Sequence, residues 1–277
     1  SPRGAPPPPP APPAILLTPT DAPPDTAALR LDPDTGEPTA LLARGATLGL
    51  RLSAAAYNAS DGSPTPDGRP AGSPSGAYIF RPHSRLEAGA PSVEAVAGPV
   101  VAEARLDWGV VAATLELWAG DPDPDVAWTA GPLPADGVGR EAVLVYGTGL
   151  ETKGKVWTDS NGRRLLPRTR NSRPTWPLNV TEPVAGNYYP VAGLAVLEGG
   201  ESQGAARTLA VAVDRGQGAA SLNDGALEFM LHRRLFLDDA RGVAEPLNET
   251  ACGGRDEGCG GLVAAGLHRL AAAPTRD

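Results

Sequence analysis

The chain is poor in the residues that carry most enzyme chemistry. It holds two cysteines, three histidines and one methionine in 277 residues. His83, His232 and His268 lie far apart, with none of the His-x-His, His-x-Asp or His-x-x-Glu-His spacings that build a metal site, so no metal ligand is expected. Cys252 and Cys259 flank a short Gly-rich loop. They suit a local disulfide or two free thiols; a zinc site needs two further soft ligands nearby, and only His268 offers itself. No serine stands in a Gly-x-Ser-x-Gly elbow, and nothing marks a Cys–His partnership. No apolar run approaches the ~20 residues that span a bilayer, so no membrane partner is expected. Ala14-Ile15-Leu16-Leu17 is too short for the apolar part of a leader and has no basic lead. Either the chain is cytosolic, or its true N-terminus lies upstream. A basic excess is also lacking: 24 Lys and Arg stand against 32 Asp and Glu, a net charge of −8. Such a surface does not attract a polyanion, so nucleic acid is not an expected partner.

What is abundant is the punctuation of β-structure. Proline (31) and glycine (34) both exceed ordinary usage, and both interrupt helix interiors. No apolar stripe of helical period and length appears. Residues 1–25 read as a Pro-rich, disordered linker, with Pro6 to Pro10 unbroken. From Thr26 onward, period-2 patterns dominate. Leu29 and Leu31, the turn Asp32-Pro-Asp-Thr-Gly36 and Ala40–Ala43 read as a hairpin. Leu48, Leu50 and Leu52 read as one strand face, and Val111, Ala113, Leu115 and Leu117 as another. Ala142 to Tyr146 is apolar throughout, as in a strand covered on both sides. Leu209, Val211 and Val213 alternate with smaller residues. Leu227, Phe229 and Leu231 alternate with Glu228, Met230 and His232. The expected fold is all-β: an antiparallel β-sandwich over residues 26–277, with no fixed-period repeat.

Three sequons, at Asn58, Asn179 and Asn248, are candidate glycan acceptors and favour the secretory route. A carboxylate pair for glycoside hydrolysis is not evident. Asp238 and Asp239 are adjacent and read as turn residues pairing with Arg241. Two features suit ligand contact. Arg233 and Arg234 end an apolar strand, where forked donors can meet sugar hydroxyls or carboxylates, or a salt bridge to Asp238 or Asp239. Tyr78, after a Gly-rich loop, can present its ring and hydroxyl to a sugar or sit half-buried in the core.

Several segments resemble the class II α-mannosidases of glycoside hydrolase family 38, and its lysosomal branch most closely. They are Ser75-Gly-Ala-Tyr-Ile-Phe-Arg-Pro82, Leu150-Glu-Thr-Lys-Gly154, Thr158–Arg163, Arg173-Pro-Thr-Trp176, Asn179–Pro190, Asp214-Arg215 with Ser221-Leu222, and His232-Arg-Arg-Leu235 with Asp238-Asp239 and Arg241-Gly242. They occur in the family's order over most of Tyr57 to Gly242. The chain departs from the family in its Pro-rich start, the Asp61–Pro74 and Cys252–Cys259 loops, and His83. The resemblance implies a large super-sandwich of the galactose-mutarotase type, behind a separate catalytic domain. It implies a retaining exo-α-mannosidase acting on N-glycans and oligosaccharides in the lysosome, vacuole or secretory pathway. In that family an Asp nucleophile, a second acidic residue and the zinc ligands belong to the catalytic domain. No catalytic residue and no metal ligand therefore transfers to this chain, which alone is expected to be inactive. Tyr78 and one of Arg233 and Arg234 map onto the family's substrate rim. The alternative is a stand-alone carbohydrate-binding or structural module.

Overall fold

The computed structural model describes residues 14–64, 68, 70–200, 207–242, 244–252 and 259–275. The Pro6–Pro10 run lies outside them. Among the described residues the only helical element is a single 3-10 turn, Ala185–Asn187; the rest is strand and connection.

Strands β1 (Ile15–Leu17), β2 (Ala28–Leu31), β3 (Pro38–Ala43) and β4 (Ala46–Gly49) form a four-stranded antiparallel meander in that order. The expected hairpin is β2–β3. Its turn is held by the Asp32 carboxylate, which accepts the Asp34 and Thr35 amides at 3.0 and 2.9 Å. Strand β1 falls inside the segment expected as linker. Ile15 to Leu17 pair with Leu31 to Leu29, so structure starts upstream of Thr26.

The chain then alternates between two larger sheets. Strands β5 (Arg51–Ala59) and β6 (Pro82–Glu87) begin the first. Strands β7 (Ser92–Ala97), β8 (Val101–Asp107), β9 (Val111–Trp118) and β10 (Asp125–Ala130) begin the second. Strand β11 (Arg140–Gly147) returns to the first, and β12 (Lys155–Thr158) and β13 (Leu166–Thr169) to the second. Then come β14 (Tyr189–Val191), β15 (Leu194–Gly199), β16 (Arg207–Val213), β17 (Gln217–Ala220) and β18 (Ala226–Arg234). A small ribbon of β19 (Thr250–Cys252) and β20 (Cys259–Gly261) precedes the long β21 (Ala264–Pro274). The first sheet has six strands, ordered β14-β17-β18-β11-β5-β6. The second has nine, ordered β13-β12-β15-β16-β21-β10-β9-β8-β7. All pairs are antiparallel. Cys252 and Cys259 face each other across the ribbon and are joined as a disulfide.

The two large sheets pack face to face around one apolar core, which the four-stranded sheet also enters through Leu29, Leu41 and Leu48. Val111, Ala113, Leu115 and Leu117 all turn into it from β9, and Leu227 and Phe229 from β18. Leu48, Leu50 and Leu52 are buried, but not as one strand face: Leu48 lies in β4, Leu52 in β5 and Leu50 in the passage between two sheets. Alternation continued through a crossover because each of the three meets the same core.

One polar chain crosses that core. The Tyr146 hydroxyl and the His268 Nδ1 are 2.8 Å apart, and the His268 Nε2 and the Gln217 Oε1 are 2.8 Å apart. Gln217 Nε2 donates to the Met230 carbonyl oxygen at 2.9 Å. With Tyr146 donating and Gln217 accepting, a neutral ring satisfies every partner. Burial pushes the His268 imidazole down to about 4 from an ordinary 6.5. A ring that stays neutral in the fold but takes a proton when unfolded makes the unfolded state bind more protons between those values. Stability from this group is thus complete above pH 6.5 and is lost as pH falls toward 4, by up to about 3 kcal/mol. Urea unfolding of the native chain and of His268→Gln at pH 7, 5.5 and 4.5 should show the native chain losing more stability toward acid than the variant.

Candidate functional site

Strand β11 is buried on both faces, as its composition predicts: Ala142, Leu144 and Tyr146 meet the main core, while Val143 joins Ala55 and Tyr57 in a second cluster on the outer face. Phe80, Val184, Leu222 and Met230 pack on that second cluster. The outer face of the six-stranded sheet is therefore roofed, and beneath the roof lies a row of polar side chains.

The row crosses four neighbouring strands at one register: Arg85 on β6 opposite Tyr57 on β5, Tyr57 opposite Glu141 on β11, and Glu141 opposite Arg233 on β18. Arg233 Nε donates to Glu141 Oε2. Glu228, further along β18 opposite Val145, accepts from the Tyr57 hydroxyl at 2.8 Å and from the Tyr188 hydroxyl and Arg85 Nη1. Phe80 stands edge-on to Tyr57 and Tyr188, with ring centroids at 5.7 and 5.2 Å. The Arg233 guanidinium lies over Phe80 at 5.3 Å, a cation–π contact. Burial pushes the Glu141 carboxyl up, with Arg233 opposing that rise. Burial, with the charge of Glu228, likewise raises the Tyr57 and Tyr188 phenols, so both remain hydroxyl donors.

Phe80, Tyr188 and Arg233 of this network also line a cavity of about 1060 Å³. Its walls include Tyr78, Phe80 and Arg81 from the loop before β6, Tyr188 just before β14 and Tyr189 at its start, and Met230 and Arg233 from β18. Tyr78 is 67% exposed, which removes the half-buried core alternative. Arg234 does not line the cavity. It is buried, with Nε on the Asn248 Oδ1 at 2.6 Å and Nη1 on the Leu133 carbonyl oxygen at 3.0 Å. Of the two arginines, only Arg233 shares the site with Tyr78, and its anionic partner is Glu141 rather than Asp238 or Asp239.

A β-bulge makes that choice. Between β11 and β18, Ala142 pairs with His232 and Val143 with Met230, leaving Leu231 unopposed. The extra residue reverses the alternation of β18. Without it, Arg233 would follow Phe229 and Leu231 into the core and Arg234 would join Glu228 outside.

The expected acceptors differ in setting. Asn179 is exposed in a loop, and Asn248 is exposed with its Oδ1 held by Arg234. Asn58 lies within β5, half-buried, with Nδ2 donating to the Ser84 Oγ at 3.1 Å. Among the described residues, no group of three His, Cys, Asp or Glu side chains is placed to hold a metal. His268 is enclosed between Tyr146 and Gln217, and His232 Nε2 lies 3.1 Å from the Leu262 carbonyl oxygen. These residues do not fit the zinc ion that the resemblance implies. Nor do Glu141 and Glu228 form a free acid–base pair, since each is already held by arginine.

Residues 28–241 match the model of the glycosyl hydrolases family 38 C-terminal domain. The chain belongs to glycoside hydrolase family 38. Human lysosomal alpha-mannosidase is 44% identical over 202 residues, which is 71% of this chain and 19% of that protein. The Bos taurus enzyme of the same name is 42% identical over 231 residues, 81% of this chain and 22% of that protein. An alpha-mannosidase of Canavalia ensiformis is 39% identical over 202 residues, 71% of this chain and 20% of that protein. The chain thus spans about a fifth of the length of the curated relatives it matches. The crystal structure of an alpha-mannosidase from Enterococcus faecalis V583 superposes with a TM-score of 0.60 at 11% identity, covering 94% of this chain and 30% of that one. At that identity the likeness concerns the fold alone.

This sandwich buries an ion pair on its outer face, near the ends of the two middle strands β11 and β18, and removing one partner leaves the other uncompensated. Arg233→Ala should cost about 3–5 kcal/mol in urea unfolding, whereas Arg233→Met combined with Glu141→Gln should cost far less.

Proposed function

We propose that this chain is the β-sandwich wall of a retaining exo-α-mannosidase that removes α-linked mannose from N-glycans and related oligosaccharides. Family membership supports the substrate class. The observation that carries the reading is the cavity itself. The charges in its lining are already paired, Arg81 with Glu182 and Arg233 with Glu141 beneath it, while the Tyr78 side chain in the same lining is exposed. Such a surface can orient sugar hydroxyls. It offers no free carboxylate pair for the ~5 Å arrangement of a retaining site. The nucleophile, the acid/base residue and zinc are therefore assigned to a catalytic domain against which this sheet packs. Tyr78 and Arg233 are the proposed substrate-orienting residues; Arg234 serves the fold. The names of the relatives and the sequons at Asn179 and Asn248 favour a lysosomal, vacuolar or secretory setting.

An aryl α-mannoside assay separates the readings. The 277-residue chain alone, with or without zinc, should give no turnover. A complete polypeptide carrying it should turn over, and Tyr78→Phe there should lower kcat/KM about tenfold, the scale of one hydrogen bond, with an unchanged melting temperature. Turnover by the chain alone would sink the proposal. Mannose binding by the chain without any effect of a catalytic domain would favour a stand-alone binding module.

A further inference from the structure

The Tyr78 side chain is exposed, so something other than packing must fix where its hydroxyl stands. Its backbone supplies the answer. The amides of Tyr78 and Ile79 both donate to the Asp239 Oδ2, at 2.7 and 2.9 Å. The other oxygen, Oδ1, accepts the Arg241 amide at 3.1 Å. Asp239 is fully buried and lies 160 residues along the chain from Ile79, in the turn that follows β18. The turn is built for this contact. Ala240 takes φ +57°, a left-handed conformation that a residue with a Cβ adopts only when its surroundings hold it there. That reversal returns the Arg241 amide to the carboxylate. On the other side, a Cβ at Gly76 would fall 2.5 Å from the Asp239 Cβ, so only glycine lets the loop close down on the acid. Two outer ties secure the same loop: Arg233 Nη1 to the Gly76 carbonyl oxygen at 3.3 Å, and Arg241 Nη2 to the Ser73 Oγ at 3.2 Å.

We propose that Asp239 is the positioning residue of Tyr78, its buried carboxylate gripping the Tyr78–Ile79 amides so that the phenol is held at the cavity mouth. The inference deepens, and rests on, the reading of this cavity as a mannoside site. A carboxylate accepting three amides is a strong, directional anchor, and a sugar-orienting hydroxyl needs its position fixed before ligand arrives. The two arginines then divide the work: Arg233 holds the loop and faces the cavity, while Arg241 closes the turn.

Two measurements test it. Amide hydrogen exchange of the 277-residue chain reads the anchor directly. Asp239→Asn keeps the shape and one acceptor oxygen; Asp239→Ala removes both. Exchange at Tyr78 and Ile79 should quicken at least about tenfold in Asp239→Ala and less in Asp239→Asn, with the Leu144 and Phe229 amides unchanged. Unaltered exchange at Tyr78 and Ile79 in a folded variant overturns the inference. In the complete polypeptide, Asp239→Asn should raise KM for an aryl α-mannoside about tenfold, yet less than about twofold in a Tyr78→Phe background, because the two residues act through one hydroxyl. Additive losses would make Asp239 merely structural and overturn the positioning role. If Tyr78→Phe alone changes no kinetic parameter, the mannoside reading of the cavity fails, while the exchange result still decides whether Asp239 anchors the loop.

Discussion

The outer face of the six-stranded sheet is organised by one ion pair, Glu141 with Arg233, and that pair exists because Leu231 is one residue too many for its partner strand. Up to Met230, β18 sends odd-numbered residues inward and even-numbered ones outward. Past the bulge the order is inverted, and Arg233 arrives opposite Glu141. Everything else on the face is arranged around that meeting. Tyr57 continues the row onto β5 and Arg85 onto β6, where Arg85 closes the second pair with Glu228. Phe80 roofs the row by lying over Arg233 and edge-on to Tyr57 and Tyr188. Losing the bulge would turn the Arg233 guanidinium to the inner face with Phe229 and Leu231 and leave Glu141 without its cation. The energetic penalty of either change is large enough to fix the register by itself.

Much of the architecture is legible in local pattern. The β2–β3 hairpin follows from alternating leucines around an Asx-type turn, β9 from four alternating apolar residues, and β11 from an unbroken apolar run. Each of these depends on neighbours within ten residues. What is not legible depends on partners far away. Strand β1 sits in a proline-rich context that argues for linker, and is strand only because β2 is beside it to accept the pairing. Leu48 to Leu52 keep one alternation through two strands, because the passage between sheets stays in contact with a common core.

The site divides along the same line. Tyr78 is marked by its Gly-rich neighbourhood, and the pair Arg233-Arg234 by its place at a strand end. The decision between the arginines lies in a bulge, which period-2 reasoning assigns the wrong way: simple alternation puts Arg234, not Arg233, on the face of Glu228. Glu141, Glu228, Tyr57, Tyr188 and Arg85 carry no joint signal at all, being spread over residues 57–228 with no fixed spacing. The one hint is local. Glu228 and Glu141 each interrupt or border a strongly apolar strand, where an acid facing solvent and an acid under a roof look identical in sequence. Only the loop that brings Phe80 across the sheet separates the two cases.

The same roof bears on the proposal that this face orients a ligand and leaves the chemistry to another domain. Glu141 and Glu228 are each paired with an arginine, and the Tyr57 and Tyr188 phenols serve as donors to Glu228. Such a network is costly to build and stiff once built, since every member constrains its neighbours through directional bonds. Stiffness is what an orienting wall requires: a hydroxyl misplaced by an ångström loses most of its value to a reaction elsewhere in the site. In the proposed reading the sheet supplies rigidity through charges that satisfy one another, and Tyr78, its backbone amide held by the Asp239 carboxylate, is the side chain that meets what enters the cavity.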